Sequence, residues 1–466
     1  MNEKKIGLAG VVATGVGLVV GSSCLFTLGA GISTIGTTFI IAMIIACIVN
    51  ILTLLSISEL NSLMPNLTGG LAQYSLACVG PFVTIICMVG GYILCNSLAG
   101  SVEGAMFGNT VEAILPNVGI PGWVFTTILI AILFCANLNG VDMFIKIQDF
   151  VAYALIFSLV IIGIIGAFKA GTGEIVNQPH VLAKDFTSIT GLCGIACFLF
   201  VGGEYVVPIS KDVKNAKRNI PLGMVLSMII ILLMQIIITF GFANYTEWGN
   251  LAESGTPHVL YGEMVLGNVG KYWMMAVAIF ATISSINTLM SSLAYIIAGM
   301  SKIGLLPSFL QKTNKKGVPV FGLLFEALFF IIINITGLSN SSQVTFFISV
   351  LAILWLISYI VSNIDVLVLR KKMPNAPRNF KLPLGSTIPI LGVIGSVYMI
   401  YNMDPSWDVK KQLYMVVGIT VAILALYSFF WVKFKMKRPM FKAYPIKEVM
   451  AMENELYQEH HRKVAK

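Results

Sequence analysis

Apolar runs of membrane-crossing length recur along the whole chain, and two of them are broken by glycine at matching places in its two halves. A helix needs roughly 20 apolar residues to cross a bilayer. Such runs read as 6–32, 38–63, 82–107, 121–138, 144–168, 188–210, 220–243, 272–301, 319–338, 343–369, 386–402 and 412–434. The expected fold class is therefore all-α integral membrane, with twelve spans. The first broken stretch is GSSCLFTLG, from Gly21, and the second is FLFVGGEY, from Phe198. Hydrocarbon offers backbone groups no partners, so a broken helix at membrane depth is tolerated only where it lines a cavity or a site.

Five spans precede the second broken span and five begin with it, so the two halves insert in opposite directions as an inverted repeat. Repeat 1 covers about residues 6–168 and repeat 2 about 188–369; two further spans occupy about 386–434, and residues 436–466 form a polar tail. The tail's run from Met450 to Tyr457 is expected to form a short surface helix. The loop 244–271 is long enough to hold a helix of its own. Broken helices at corresponding places in two repeats point to a solute site at the midplane.

The net charge of +9 does not indicate nucleic acid. The basic residues concentrate in one set of loops and termini, notably 211–218, 370–381 and 433–442. That bias places both termini in the cytoplasm, beside the anionic lipid of the cell membrane. The eight cysteines lie in or beside apolar spans and read as small packing residues rather than disulfides. The four histidines, two in outer loops (180 and 258) and two in the tail (460 and 461), have no nucleophile or metal partner nearby, which argues against an enzyme and against a bound metal or cofactor. Asn66 and Asn244 each start a glycosylation-like triplet, a pattern common by chance.

Five strings occur in order across these spans: SELNSLMPNLTGGLAQY from Ser58, LNGVDMFIKIQDF from Leu138, KDVKNAKRNIP from Lys211, SKIGLLPSF from Ser301 and LRKKMPNAPRNFKLPLG from Leu369. Together they resemble the amino acid–polyamine–organocation transporters over residues 6–435. The resemblance implies a LeuT-like five-plus-five fold with discontinuous helices 1 and 6, and secondary transport of amino acids by alternating access.

The residues themselves suggest how such a site binds. The outer half of span 1, starting near Cys24, would point free N–H groups and a positive dipole end at the midplane, a seat for a carboxylate. Gly21, Ser22, Ser23 and Cys24 are the residues in question. Ser23 departs from the glycine that the family's turn carries there. The unwound segment of span 6 (Phe198, Val201, Gly202 and Gly203) would offer carbonyls to an ammonium group. The resemblance makes Phe198 an aromatic gate and Glu204 a residue of proton sensing and coupling. A carboxylate at that depth is in any case costly and functional by default.

Some proton-coupled family members carry a lysine where this chain has Leu155. Either a sodium ion replaces that charge, held by Leu18, Gly21, Ser284 and Ser285, or the protein exchanges substrates, with or without protons. Glu103, about 30 Å along span 3, is expected near the outer surface. Leu94, Ala99 and Leu289 line the aligned side-chain positions and favour a neutral amino acid; a polyamine or amine balanced by Glu204 is the alternative.

Overall fold

The computed structural model describes residues 6–64, 71–115, 117–139, 142–337, 341–449 and 451. Regular structure among them is helical, apart from three isolated bridge pairs. The helices of the first half are α1 (Leu8–Val19), α2 (Ser22–Ile35), α3 (Phe39–Leu63), α4 (Ala72–Cys78), α5 (Pro81–Met88), α6 (Cys95–Ile114), α7 (Gly122–Asn137) and α8 (Asp142–Ala167). The second half contains α9 (Phe186–Thr190), α10 (Cys193–Phe198), α11 (Ala216–Tyr245), α12 (Trp248–Glu253), α13 (Pro257–Lys302), α14 (Val320–Ile335) and α15 (Ser341–Lys372). Two more helices follow, α16 (Thr387–Tyr401) and α17 (Trp407–Phe430).

Seven of these segments are long and apolar enough to cross a membrane, and the bent pair α1–α2 makes an eighth. Four shorter apolar helices, Gly122–Asn137, Tyr153–Ala167, Val320–Ile335 and Thr387–Tyr401, fall where spans 4, 5, 9 and 11 are expected. Large apolar side chains face outward along whole helix faces, as Ile41, Ile44 and Ile48 do on α3 and Ile419, Ile423 and Leu426 on α17. In water such a surface would be a liability; in lipid it costs nothing.

Both expected breaks are present. The axes of α1 and α2 meet at 63°. The second broken span, a run of very short elements, passes from α10 through a turn into a 3₁₀ segment at Gly203–Asp212. Gly202 has φ +113° there, a conformation that glycine adopts without strain. Between α5 and α6 the chain makes a wide π-helical turn, Val89–Leu94. It keeps the two helices in one continuous span, Pro81–Ile114.

α6 lies at the centre of the packing, against α13, α14, α7, α15 and α2. α1 packs on α11 and α8. At the basic end of α15, Glu59 of α3 receives Arg370 at 2.6 Å and Arg378 at 3.0 Å, and it also accepts the Leu382 N–H. This paired carboxylate needs no other partner.

Several details differ from the sequence reading. The loop 244–271 holds α12 and also the first arm of α13, which kinks at Leu266–Gly267. His258 is therefore not in a loop; it is buried in the first turn of α13. Residues 440–444 are not free tail, since Phe82 N–H donates to the Met440 carbonyl and Tyr444 N–H to the Leu76 carbonyl. Asn244 is buried and donates to the Gly166 and Ala167 carbonyls, a placement that denies it to a glycan. Asn66 and most of the run 450–457 lie outside the described residues. Among the cysteines, Cys135 alone is exposed, and none is in a disulfide.

Candidate functional site

The N-terminus of α2 begins at Ser22, two residues earlier than expected, with Gly21 extended just before it. Its first N–H groups have no helical acceptor. Glu103 of α6 supplies one. Ser22 N–H donates to Glu103 Oε2 at 3.2 Å, and Ser23 N–H donates to Oε1 at 3.0 Å. The Ser23 hydroxyl adds a third bond to Oε1 at 2.5 Å. The sequence reading put Glu103 near the outer surface. Instead it is buried, 3% exposed, against the broken helix.

The seat expected for a substrate carboxylate thus holds a carboxylate of the protein's own. Ser23, the departure from the expected glycine, supplies two of its three donors. The fit is tight: a Cβ at Gly21 would stand 2.2 Å from Glu103 Oε1 and 3.1 Å from Ser285 Oγ. Ser285 Oγ is buried and has no hydrogen-bond partner among the described residues. The Ser22 hydroxyl turns the other way, to the Ala278 carbonyl of α13 at 3.3 Å.

The two breaks are neighbours. Gln235 of α11 donates to Cys24 Sγ on α2 and to the Leu199 carbonyl just past α10, both at 3.4 Å. Its own Oε1 has no partner among the described residues. A Cβ at Gly202 would lie 3.4 Å from Val19 of α1. Phe198 and Val201 are buried on either side of the turn. Gly203 backs onto Leu54 of α3.

Glu204 is fully buried. Its two oxygens accept from Trp355 Nε1 and Tyr359 Oη, each at 2.8 Å, one helical turn apart on α15. Tyr205 instead stacks on Tyr92 at 5.4 Å, and its hydroxyl has no partner among the described residues.

Two further buried carboxylates escaped the sequence reading. Glu326 of α14 accepts from Ser97 Oγ at 2.8 Å, and Asp365 of α15 accepts from Ser75 Oγ at 2.6 Å. A lone acid in an otherwise apolar run was the available signal. Among the described residues, no lysine or arginine pairs with Glu103, Glu204, Glu326 or Asp365. No group of three His, Cys, Asp or Glu among them could hold a metal ion.

Of the residues considered for sodium, Gly21 and Ser285 adjoin, and Ser284 is buried beside them on α13. The Gly21 carbonyl already accepts Leu25 N–H at 3.3 Å. Leu18 is in α1, and its side chain is outside the described ones. Leu155 is buried in the core.

Comparison with known proteins gives the site its setting. The branched-chain amino acid permease BcaP of Bacillus subtilis is 21% identical over 448 residues, covering 91% of this chain and 93% of that protein. The lysine-specific permease LysP of Lactococcus lactis is 25% identical, covering 84% and 82%. The glutamate/gamma-aminobutyrate antiporter of the same species is 24% identical over 60% of each chain. Among solved structures, the manganese transporter of Eremococcus coleocola superposes with a TM-score of 0.59 over 91% of this chain, at 13% identity, a likeness of fold alone. The amino acid permease family profile matches residues 6–440, and the chain belongs to that family of membrane transporters.

Proposed function

We propose that this protein carries amino acids with uncharged side chains across the cell membrane, by alternating access at the paired helix breaks. The single observation that carries the proposal is the meeting of those breaks through Gln235. One side offers helix N-terminal donors, suited to a carboxylate. The other offers unwound carbonyls, suited to an ammonium. Leu94, Ala99 and Leu289 bring no charge to greet a charged side chain. Relatives named for amino acids support the substrate class.

In this reading the chain crosses the membrane twelve times, as two inverted five-span halves and two further spans, with both termini cytoplasmic. The four shorter apolar helices supply the remaining crossings. Transport is by exchange or linked to protons, with Glu204 in the coupling role and Phe198 as the gate. A second reading is a sodium symporter, favoured by the unpartnered Ser285 hydroxyl beside Gly21.

Counterflow in proteoliposomes tests both. The expected result is saturable exchange of neutral amino acids that ignores a sodium gradient. Sodium-driven accumulation lost on Ser285→Ala would establish the second reading. Transport of amines with no transport of amino acids would overturn both.

A further inference from the structure

We infer that Glu103 is a tethered competitor of the substrate: its carboxylate occupies the α2 N-terminus at rest, and leaves with one proton when a substrate carboxylate takes that place. The inference rests on the functional reading above, because it needs the α2 N-terminus to be the carboxylate seat.

Three donors define the seat, Ser22 N–H, Ser23 N–H and Ser23 Oγ, and all three point at Glu103. A substrate carboxylate cannot use them while Glu103 does. The close approach at Gly21 leaves no room for a second anion between helix and side chain. Two carboxylates about 3 Å apart cannot both stay ionised. The displaced group must then be neutralised.

Among the described residues, no fixed positive charge stands ready to do this. On α2, Cys24 is the ionisable neighbour, and its thiol already accepts from Gln235. Between Tyr272 and Tyr295, α13 has no ionisable side chain. Glu326 is the only charged residue on α14, and Tyr92 the only ionisable one in the π turn. On α7 there is only exposed Cys135. α15 presents Tyr359 with its Glu204 contact, Asp365, and the basic cluster from Arg370 onward at its far end. α6 itself adds Cys95 and, near its outer end, Glu112. Every nearby acid adds negative charge or none.

A proton from solution is what remains. The balance is one zwitterion and one proton in, giving a bound substrate carboxylate and a neutral Glu103. Ser285 Oγ, buried and unpartnered beside the same spot, can accept the released acid's O–H.

The test counts protons on the purified full chain. A pH indicator in weakly buffered detergent reports uptake as the best-binding proteinogenic amino acid is titrated in. The expected uptake approaches one proton per amino acid bound. The decarboxylated counterpart of that amino acid, if it binds, takes up none. Glu103→Gln should abolish the uptake, flatten the pH dependence of binding and tighten amino acid affinity about tenfold, since the competing charge is gone.

Equal uptake in wild type and Glu103→Gln, or binding unchanged or weakened in the variant, overturns the inference while amino acid binding keeps the functional reading alive. Binding of the amine with no binding of any amino acid overturns the functional reading, and the inference with it. The proton count in the wild type holds even if the variant fails to fold.

Discussion

The two helix breaks solve one problem in opposite ways. Span 1 resumes as α2 with a glycine at its N-cap, which has no side chain to cap with, and Glu103 caps it from α6. Span 6 resumes at Gly203 with its own carboxylate, Glu204, in the first turn. That glutamate is also tied to Trp355 and Tyr359 of α15. One break borrows a carboxylate from another helix and the other carries its own; the local cap at Asp185, accepting Ser188 N–H, belongs to the start of α9 and not to the break. Each therefore depends on a different helix, and a disturbance at either is passed to a different neighbour.

The largest expected effect separates the two glycines. Gly21→Ala puts a methyl group onto Glu103 Oε1 and should cost about 2–4 kcal/mol of stability, chiefly by pushing a buried carboxylate off its donors and leaving its charge unpaired, and abolish substrate binding. Adding Glu103→Ala should restore much of the stability in thermal unfolding. If it restores none, the importance of the imported cap has been overstated.

Next comes the carboxylate of the second break. Trp355→Phe removes one of the two α15 donors to Glu204 and should cost about 2 kcal/mol. Glu204→Gln keeps the size and should flatten the pH dependence of transport. An unchanged profile in a stable variant would return Glu204 to a purely structural role.

Gly202→Ala is milder, about 1 kcal/mol, because its neighbour Val19 stands at ordinary contact distance and only the positive φ resists. Glu103→Ala should not rescue it, which contrasts with Gly21. The smallest effect is at exposed Asp185. Bonds from Ser188 and Thr187 hold its carboxyl below the ordinary value. A depressed folded value means the contribution is present above the ordinary carboxylate range and fades as pH falls through the lowered one. Melting temperature against pH should show a slight acid-side loss that Asp185→Ala removes.

The sequence made both breaks legible because Gly21-Ser22-Ser23 and Gly202-Gly203 interrupt apolar runs at corresponding places in the two halves. Glu103 was misplaced for a geometric reason. About 30 Å counted from the start of the apolar run at residue 82 would cross a whole bilayer, whereas α6 continues to Ile114 and leaves Glu103 about three turns from its end. The partners of Glu204 were not legible, since Trp355 and Tyr359 lie far away in sequence and resemble any aromatic pair on an apolar helix. Glu326 and Asp365 were legible and were passed over.

The π turn at Val89–Leu94 sets the direction of side chains well beyond it. Such a turn closes over one residue more than an α-helical turn. Everything downstream on α6 is rotated by about 100° relative to an uninterrupted helix. Ser97 and Glu103 owe their facing directions to that extra residue in the turn. A one-residue deletion within Val89–Leu94 would regularise the helix and swing both side chains away from Glu326 and from α2, a change no single substitution can imitate. The placement of the internal carboxylate therefore depends on the length of this helix as much as on the identity of residue 103.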